Sequence, residues 1–258
     1  MSIPKLNLSG HRALVCGASA GIGQATARVL AAQGARVTVL ARRADRLQAL
    51  VEEIQSNGGS ADAVAADLDD RAGLLAALGD GSWNILINNT GGPPAGKLLE
   101  ADTEALEVAF GRHVLSAQTL LQHCLPFMQA KNYGRIINVL STSVREPIPN
   151  LGVSNTIRGA MASWAKSVSK ELPPGLTINN VLPGFTDTER LDSLKSAVAE
   201  RTGSTVEDVY RGWLSRVPEG RLGRPEELAG AIAFLVSPAG AYIRGQSLAV
   251  DGGRLNTI

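Results

Sequence analysis

Short apolar runs alternate with helical patterns along nearly the whole chain, and this alternation limits the fold more than any other feature. RALVCG (12–17) reads as a buried strand, and GIGQATARVLAAQG (21–34) as a helix closed by Gly34. RVTVLAR (36–42) is a second strand, and DRLQALVEEIQSNGG (45–59) a helix stopped by Asn-Gly-Gly. ADAVAAD, WNILINN, GRIINVLS, LTINNVLPG and GQSLAVDGG continue as strands three to seven. Between strands four and five, a helix from about Asp102 to Leu125 places Leu106, Phe110, His113, Ala117, Leu120 and Cys124 on one stripe. NLGVSNTIRGAMASWAKSVSKEL (150–172) is a loop running into an amphipathic helix. Strand and helix in alternation predict an α/β chain: a Rossmann-type, doubly wound, seven-stranded and mostly parallel sheet with helices on both faces. No linker or repeat interrupts it, so residues 1–258 are expected to form one domain. One region breaks the rhythm. Thr188 to Arg221 is helical, lies beyond a strand's carboxyl end, and is placed to act as a substrate lid.

Composition closes off other classes. The chain has 258 residues, 44% apolar and 19% charged, with a formal net charge of +1. That suits a globular domain and gives no electrostatic footing for a nucleic-acid partner. The longest apolar runs, such as ELAGAIAFLVSPAG, fall short of a membrane span, and the start shows no secretory signal. Cys16 and Cys124 stand far apart, which suits a reducing cytoplasm and offers no disulfide framework. The sparse His and Cys spacing predicts no metal site.

Gly17, Ser19, Ala20, Gly21, Ile22 and Gly23 lie between the first strand and the first helix. Glycines there permit a tight turn and close approach of the backbone to phosphate, while the helix start presents free N–H groups. Further on come Asp67 after strand three, NNTG after strand four, IINVLS, NVLPGFTDT, and the tail GRLGRPEELAGAIAFLVSPAGAYIRGQSLAVDGG. Together these resemble the short-chain dehydrogenase/reductase family, from about Leu8 to Gly253. The resemblance implies that Gly17, Ser19, Ala20, Gly21, Ile22 and Gly23 hold the pyrophosphate and adenosine ribose. It implies that Asp67 and Leu68 lie at the adenine, although an Asp at a strand end also serves as a turn or cap. Asn89, Thr90 and Gly91 would line the cofactor, with Thr90 where the family usually has Ala. Asn88 and Asn89 also fit a structural turn tying neighbouring strands. Pro183, Gly184, Thr186 and Thr188 would meet the nicotinamide carboxamide.

The end of strand two chooses between nicotinamide cofactors. A carboxylate there binds the ribose diol of NAD, and a basic residue accommodates a 2′-phosphate. Here Ala41 stands where the carboxylate would be, followed by Arg42 and Arg43, whose guanidiniums fork onto phosphate. NADP(H) is therefore favoured over NAD(H). Solvated surface arginines are the plainer reading of the same pair.

In the family, an Asn, a Ser, a Tyr and a Lys complete hydride addition to a carbonyl. Aligned through Lys166, the Tyr position is Ser154 and the Lys position is Arg158, four residues apart on one helical face. Ser141 matches the Ser, and His113 stands at the Asn. Ser141, His113, Ser154 and Arg158 are thus the candidate catalytic residues, and Arg158 also a candidate for the nicotinamide ribose. A phenol titrates at roughly 10 and an alkyl hydroxyl far higher, so Ser154 hydrogen-bonds but hardly replaces a tyrosine as acid. Arg158 keeps its charge and stabilises an oxyanion. His113, with an ordinary value of about 6.5, would supply the proton directly, through Ser154, or through water. Plainer readings stand beside these: a core histidine on an apolar stripe, an N-cap serine, a surface arginine, a strand-end serine. Tyr210 and Trp213 fall in the lid, either reaching into the site or packing beneath it.

Three functions compete. The first is an NADPH-dependent reductase with altered proton delivery, acting on a small molecule such as a quinone or other activated carbonyl. The second is a non-catalytic NADP-binding sensor or regulator. The third is a structural subunit. Family members are usually tetramers or dimers joined through helices including residues 150–172, so a homo-oligomer is expected, with Met161 or Trp164 serving that packing. The charges of the lid, among them Arg190, Arg201 and Arg216, read as solvated helix faces.

Overall fold

Along β1 (Arg12–Cys16) the side chains divide between two cores, Ala13 and Val15 on one face and Leu14 and Cys16 on the other. This division is the period-two alternation of a strand, and with both faces covered the whole strand reads as apolar. The computed structural model, which describes residues 6–257, adds β2 (Arg36–Ala41), β3 (Ser60–Ala65), β4 (Ile85–Asn88), β5 (Gly134–Val139), β6 (Leu176–Pro183) and β7 (Ser247–Val250). The sheet order is β3-β2-β1-β4-β5-β6-β7, and every neighbouring pair is parallel rather than mostly so.

Helices cover both faces. α1 (Gly21–Ala32), α2 (Ala44–Ser56) and α9 (Pro225–Val236) pack on one side, burying Leu30, Leu47, Leu50 and Ile232. α3 (Arg71–Leu78), α5 (Ser116–Ala130) and α6 (Gly152–Glu171) pack on the other, burying Leu74, Leu120, Cys124 and Ala165. Each fully buried Leu or Ile contributes about 1.5–3 kcal/mol. α4 (Thr103–Phe110) leads into α5, while α7 (Glu189–Thr202) and α8 (Val206–Leu214) lie between β6 and α9.

Three details depart from the sequence expectations. α3 has no counterpart there: it has only eight residues, with Gly73 inside, and its clearest signal is Asp70, whose carboxylate caps the Gly73 N–H. The helix expected over about 102–125 is broken by a π-turn at Gly111–Leu115 and runs on to Ala130. The extra residue resets the helical phase, so Ala109 faces inward and Phe110 is 41% exposed. The Ser116 hydroxyl donates to the Gly111 and Leu68 carbonyls beside that turn. Met161 is buried within the chain, and the Trp164 indole donates to Gln118, so Met161 is not available for packing between subunits.

A row of amides crosses the sheet. The Asn88 side chain donates to Asn138 at 2.9 Å, Asn138 to Asn180 at 2.9 Å, and Asn180 to the Ser247 hydroxyl at 3.0 Å. These residues are in register on β4, β5, β6 and β7. Asn88 therefore ties strands together.

Candidate active site

The strand order reverses between β1 and β4, and ligands bind at such a switch point beyond the strand ends. A cleft of about 1530 Å³ opens there. Its floor is the loop from β1 into α1. Gly17 has φ +60°, and a Cβ on it would lie 2.5 Å from the Asn89 carbonyl oxygen. A Cβ on Gly23 would lie 2.3 Å from the Gly17 carbonyl oxygen. Asn89 closes the turn by donating to the Cys16 and Gly17 carbonyls. Ala20, at the N-cap of α1, offers no side-chain acceptor, so the first-turn N–H groups stay free for an anion. Gly17, Ser19, Ala20, Gly21 and Ile22 line the cleft, and Gly23 supports it from behind.

At one end Arg42 and Arg43 follow β2, both exposed. Arg43 Nη2 donates to Ser19 Oγ at 2.9 Å, drawing a guanidinium to the phosphate loop. Arg42 stands 3.8 Å from Asp67, a loose pair. Asp67, Leu68, Thr90 and Gly91 line the adjoining wall. Pro183, Gly184, Thr186 and Thr188 line the far wall. Thr188 caps α7, and its methyl lies 3.1 Å from the point where a Cβ on Gly21 would sit, so this segment meets the phosphate loop. Glycine turns, a free helix start, two arginines and no carboxylate at Ala41 fit a dinucleotide carrying a 2′-phosphate.

Ser141, Ser154 and Arg158 converge on the middle of the cleft. Ser141 sits just past β5, where its oxygen accepts the Ser143 N–H at 3.1 Å and leaves its own proton free to donate. Ser154 is not an N-cap: α6 begins at Gly152, where a Cβ would collide with Leu98, and Ser154 lies inside the first turn facing the cleft. Arg158 is half-buried rather than on the surface. Its Nη1 donates to the Val139 and Leu140 carbonyls at 3.1 and 2.7 Å. Its Nη2 lies 3.3 Å, and Ser154 Oγ 3.8 Å, from the point where a Cβ on Gly92 would sit. Burial first, and the Arg190 charge second, pull the Arg158 value down to about 10, so it remains a cation near neutral pH.

His113 is elsewhere. It is 5% exposed, lines a small space of about 20 Å³ behind the cleft with Thr90 and Leu140, and its Nε2 has no partner. Burial, then the Arg158 and Arg112 charges, push its value down to about 3, against a smaller upward pull from the Gly91 backbone. It is a neutral imidazole at physiological pH. Desolvation beside two guanidiniums disfavours its protonated form, which weighs against the expected role as proton donor. Among the described residues, no tyrosine, histidine, cysteine or lysine lines the main cleft. Tyr210 packs under Lys195, 5.4 Å from its ring, while Trp213 stacks on Phe185 at 4.9 Å and lines the cleft wall.

Sequence reasoning missed Gly92, Arg190 and Arg254. Gly92 follows directly on the quoted NNTG, and the doubled glycine at 91–92 was the available signal. Arg190 reads as a solvated helix residue, yet its Nη2 donates to the Pro93 carbonyl at 3.0 Å. Arg254 lies over the Phe185 ring at 4.8 Å and donates to Thr142 Oγ1 at 2.7 Å, a contact across 112 positions that no local pattern announces.

Sheet order and glycine loop define a dinucleotide-binding class of α/β fold, and residues 17–254 match the family described as enoyl-(acyl carrier protein) reductase. The chain belongs to the short-chain dehydrogenase/reductase family. It is 35% identical over 253 residues to the 3-oxoacyl-(acyl-carrier-protein) reductase FabG of Vibrio cholerae, covering 96% of this chain and 98% of the relative. It is 29% identical to the NADPH-dependent reductase BacG of Bacillus subtilis, covering 97% and 100%. The crystal structure of L-sorbose reductase from Gluconobacter frateurii, complexed with NADPH and L-sorbose, superposes with TM-score 0.91 at 27% identity, covering 98% and 99%.

Proposed function

We propose that the chain is an NADPH-dependent reductase that delivers hydride to the carbonyl of a small molecule and completes the reaction without a tyrosine. The single observation that carries this reading is Arg158: Nη1 is pinned by two strand-end carbonyls and Nη2 is left facing Ser154 and Gly92. A cation held this way needs no reorganisation to meet negative charge developing on a carbonyl oxygen. NADPH, when bound, supplies the hydride. Arg42 and Arg43 select its 2′-phosphate, the loop from Gly17 to Gly23 holds its pyrophosphate, and Pro183 to Thr188 orient its nicotinamide end. Ser141 donates its hydroxyl proton as a hydrogen bond to the carbonyl oxygen, and Arg158 stabilises the resulting oxyanion. The final proton comes from water relayed by Ser154, which suits activated carbonyls or quinones whose reduced anions are weak bases. α7 and α8 act as the lid of a single domain. Exposed Leu99, Val108, Phe110 and Leu115 on and beside α4 support assembly as a homo-oligomer.

The test is NADPH oxidation against a panel of quinones and activated carbonyls, with Arg158→Met beside the wild type. Turnover that falls about 100- to 1000-fold in the variant is expected. The absence of tyrosine from the cleft favours a second reading, a non-catalytic NADP-binding protein. No turnover with any panel member, alongside tight NADPH binding, would establish that reading instead.

A further inference from the structure

Arg158 and Arg190 approach one point of the cleft wall, at Gly92. Arg190, in the first turn of α7, is exposed, and its Nη2 donates to the Pro93 carbonyl at 3.0 Å and the Gly92 carbonyl at 3.5 Å. Arg158 approaches the same glycine from α6, with Nη2 3.3 Å from the point where a Cβ on Gly92 would sit. The charges feel one another, since Arg190 is the second cause, after burial, that lowers the Arg158 value. Neither belongs to an ion pair among the described residues. The acid next in sequence, Glu189, points the other way onto Arg46 at 2.9 Å.

Two like charges brought together, one of them, Arg158, half-buried, repel each other unless an anion joins them. A carboxylate has two oxygens and matches a guanidinium fork. Gly92, with no side chain, leaves the space between them open. Ser154 Oγ borders the same point at 3.8 Å, so an anion seated there would lie within a few bonds of the carbonyl being reduced. We propose that the substrate is a small oxo acid whose carboxylate is held over Gly92 by Arg158 and Arg190, an inference that rests on the reductase reading above. Hydride adds to the carbonyl carbon, the C=O π pair moves to oxygen, and oxygen takes one proton from water. The products are the hydroxy acid and NADP+. In a 2-oxo acid the carbonyl oxygen and one carboxylate oxygen are neighbours, so Arg158 serves both.

The experiment has a kinetic arm and a binding arm, both on the intact chain at fixed ionic strength. NADPH oxidation is measured with 2-oxo-4-phenylbutanoate and its ethyl ester. The acid is expected to exceed the ester in kcat/KM by about ten- to a hundredfold. Arg190→Gln should erase that preference, and Arg190→Lys, which keeps charge without the fork, should restore part of it. Melting curves of both variants confirm folding. In the binding arm, protein saturated with NADP+, so that the phosphate loop is filled, is titrated calorimetrically with succinate, succinamide and inorganic phosphate. Succinate alone should bind, and weakly or not at all to Arg190→Gln. Equal turnover of acid and ester with no succinate binding would overturn the carboxylate site and leave the reductase reading standing. Phosphate binding in preference to succinate would overturn the carboxylate assignment. Succinate binding without turnover of any compound would support the site and overturn the reductase reading.

Discussion

Arg158 Nη2 stands 3.3 Å from the point at which a side chain on Gly92 would begin, and that narrow gap is the centre of the proposed chemistry. Gly92→Ala is expected to push the guanidinium aside while leaving the fold alone, because the obstructed atom is the end of a long side chain. Turnover should fall about tenfold or more, since small misplacements of a catalytic group are costly. The thermal midpoint should move by no more than a few degrees, about the effect of 1 kcal/mol or less. Stopped-flow kinetics and a melting curve check the two halves of this statement.

Gly23→Ala should behave in the opposite way. Its Cβ would meet the Gly17 carbonyl oxygen at 2.3 Å and Asn89 Nδ2 at 2.6 Å, both fixed parts of the turn. Overpacking of this kind costs about 1–3 kcal/mol or more. The variant should melt at clearly lower temperature and lose measurable NADPH binding by fluorescence titration.

Arg43→Ala tests the cofactor preference. The guanidinium is held at the loop by its contact with Ser19 at 2.9 Å, and a hydrogen bond to a charged group contributes about 1.5–3 kcal/mol. NADPH affinity should weaken by roughly ten- to a hundredfold, and NADH affinity should scarcely move. Equal weakening of both would remove Arg43 from phosphate recognition.

His113 gives a pH signature in stability rather than in rate. Its value in the folded chain is lowered from 6.5 to about 3. Below the higher value the unfolded chain takes up a proton that the folded chain refuses, so stability declines as pH falls from 6.5 towards about 3 and is flat above. His113→Asn should flatten that decline in urea titrations run at about pH 7 and about pH 5. The same variant should keep its turnover within about threefold, with an unchanged pH–rate profile, if the proposed relay through Ser154 and water delivers the proton.

The strands were legible because residues such as Ile85, Leu86 and Ile87 are buried on both faces and read as one apolar run. The phosphate loop was legible because its glycines follow directly on such a run. α3 was not, since eight residues around Gly73 show little periodicity. The candidate site was readable where it depends on spacing, as with Ser154 and Arg158. Burial is the part that spacing does not carry: His113 looks reactive in a string of letters, and the packing around it lowers its value to about 3. Arg190 keeps the exposure its sequence suggests, and only its hydrogen bond to the Pro93 carbonyl, 97 positions away, has no local signal.

The chain of amides from Asn88 to Ser247 fixes how far the protein can move during a reaction cycle. One residue of slippage between any two of these four strands would turn an amide to the opposite face and strand its partner. The wall carrying Ser141 and the wall carrying Pro183 stand on strands joined by this chain, so they travel as a single slab. On the proposed reading, the gap that admits a substrate and lets the product go is expected in the connection between β6 and α9. The slowest event of the cycle is accordingly expected in α7 and α8 swinging clear of a sheet that stays still.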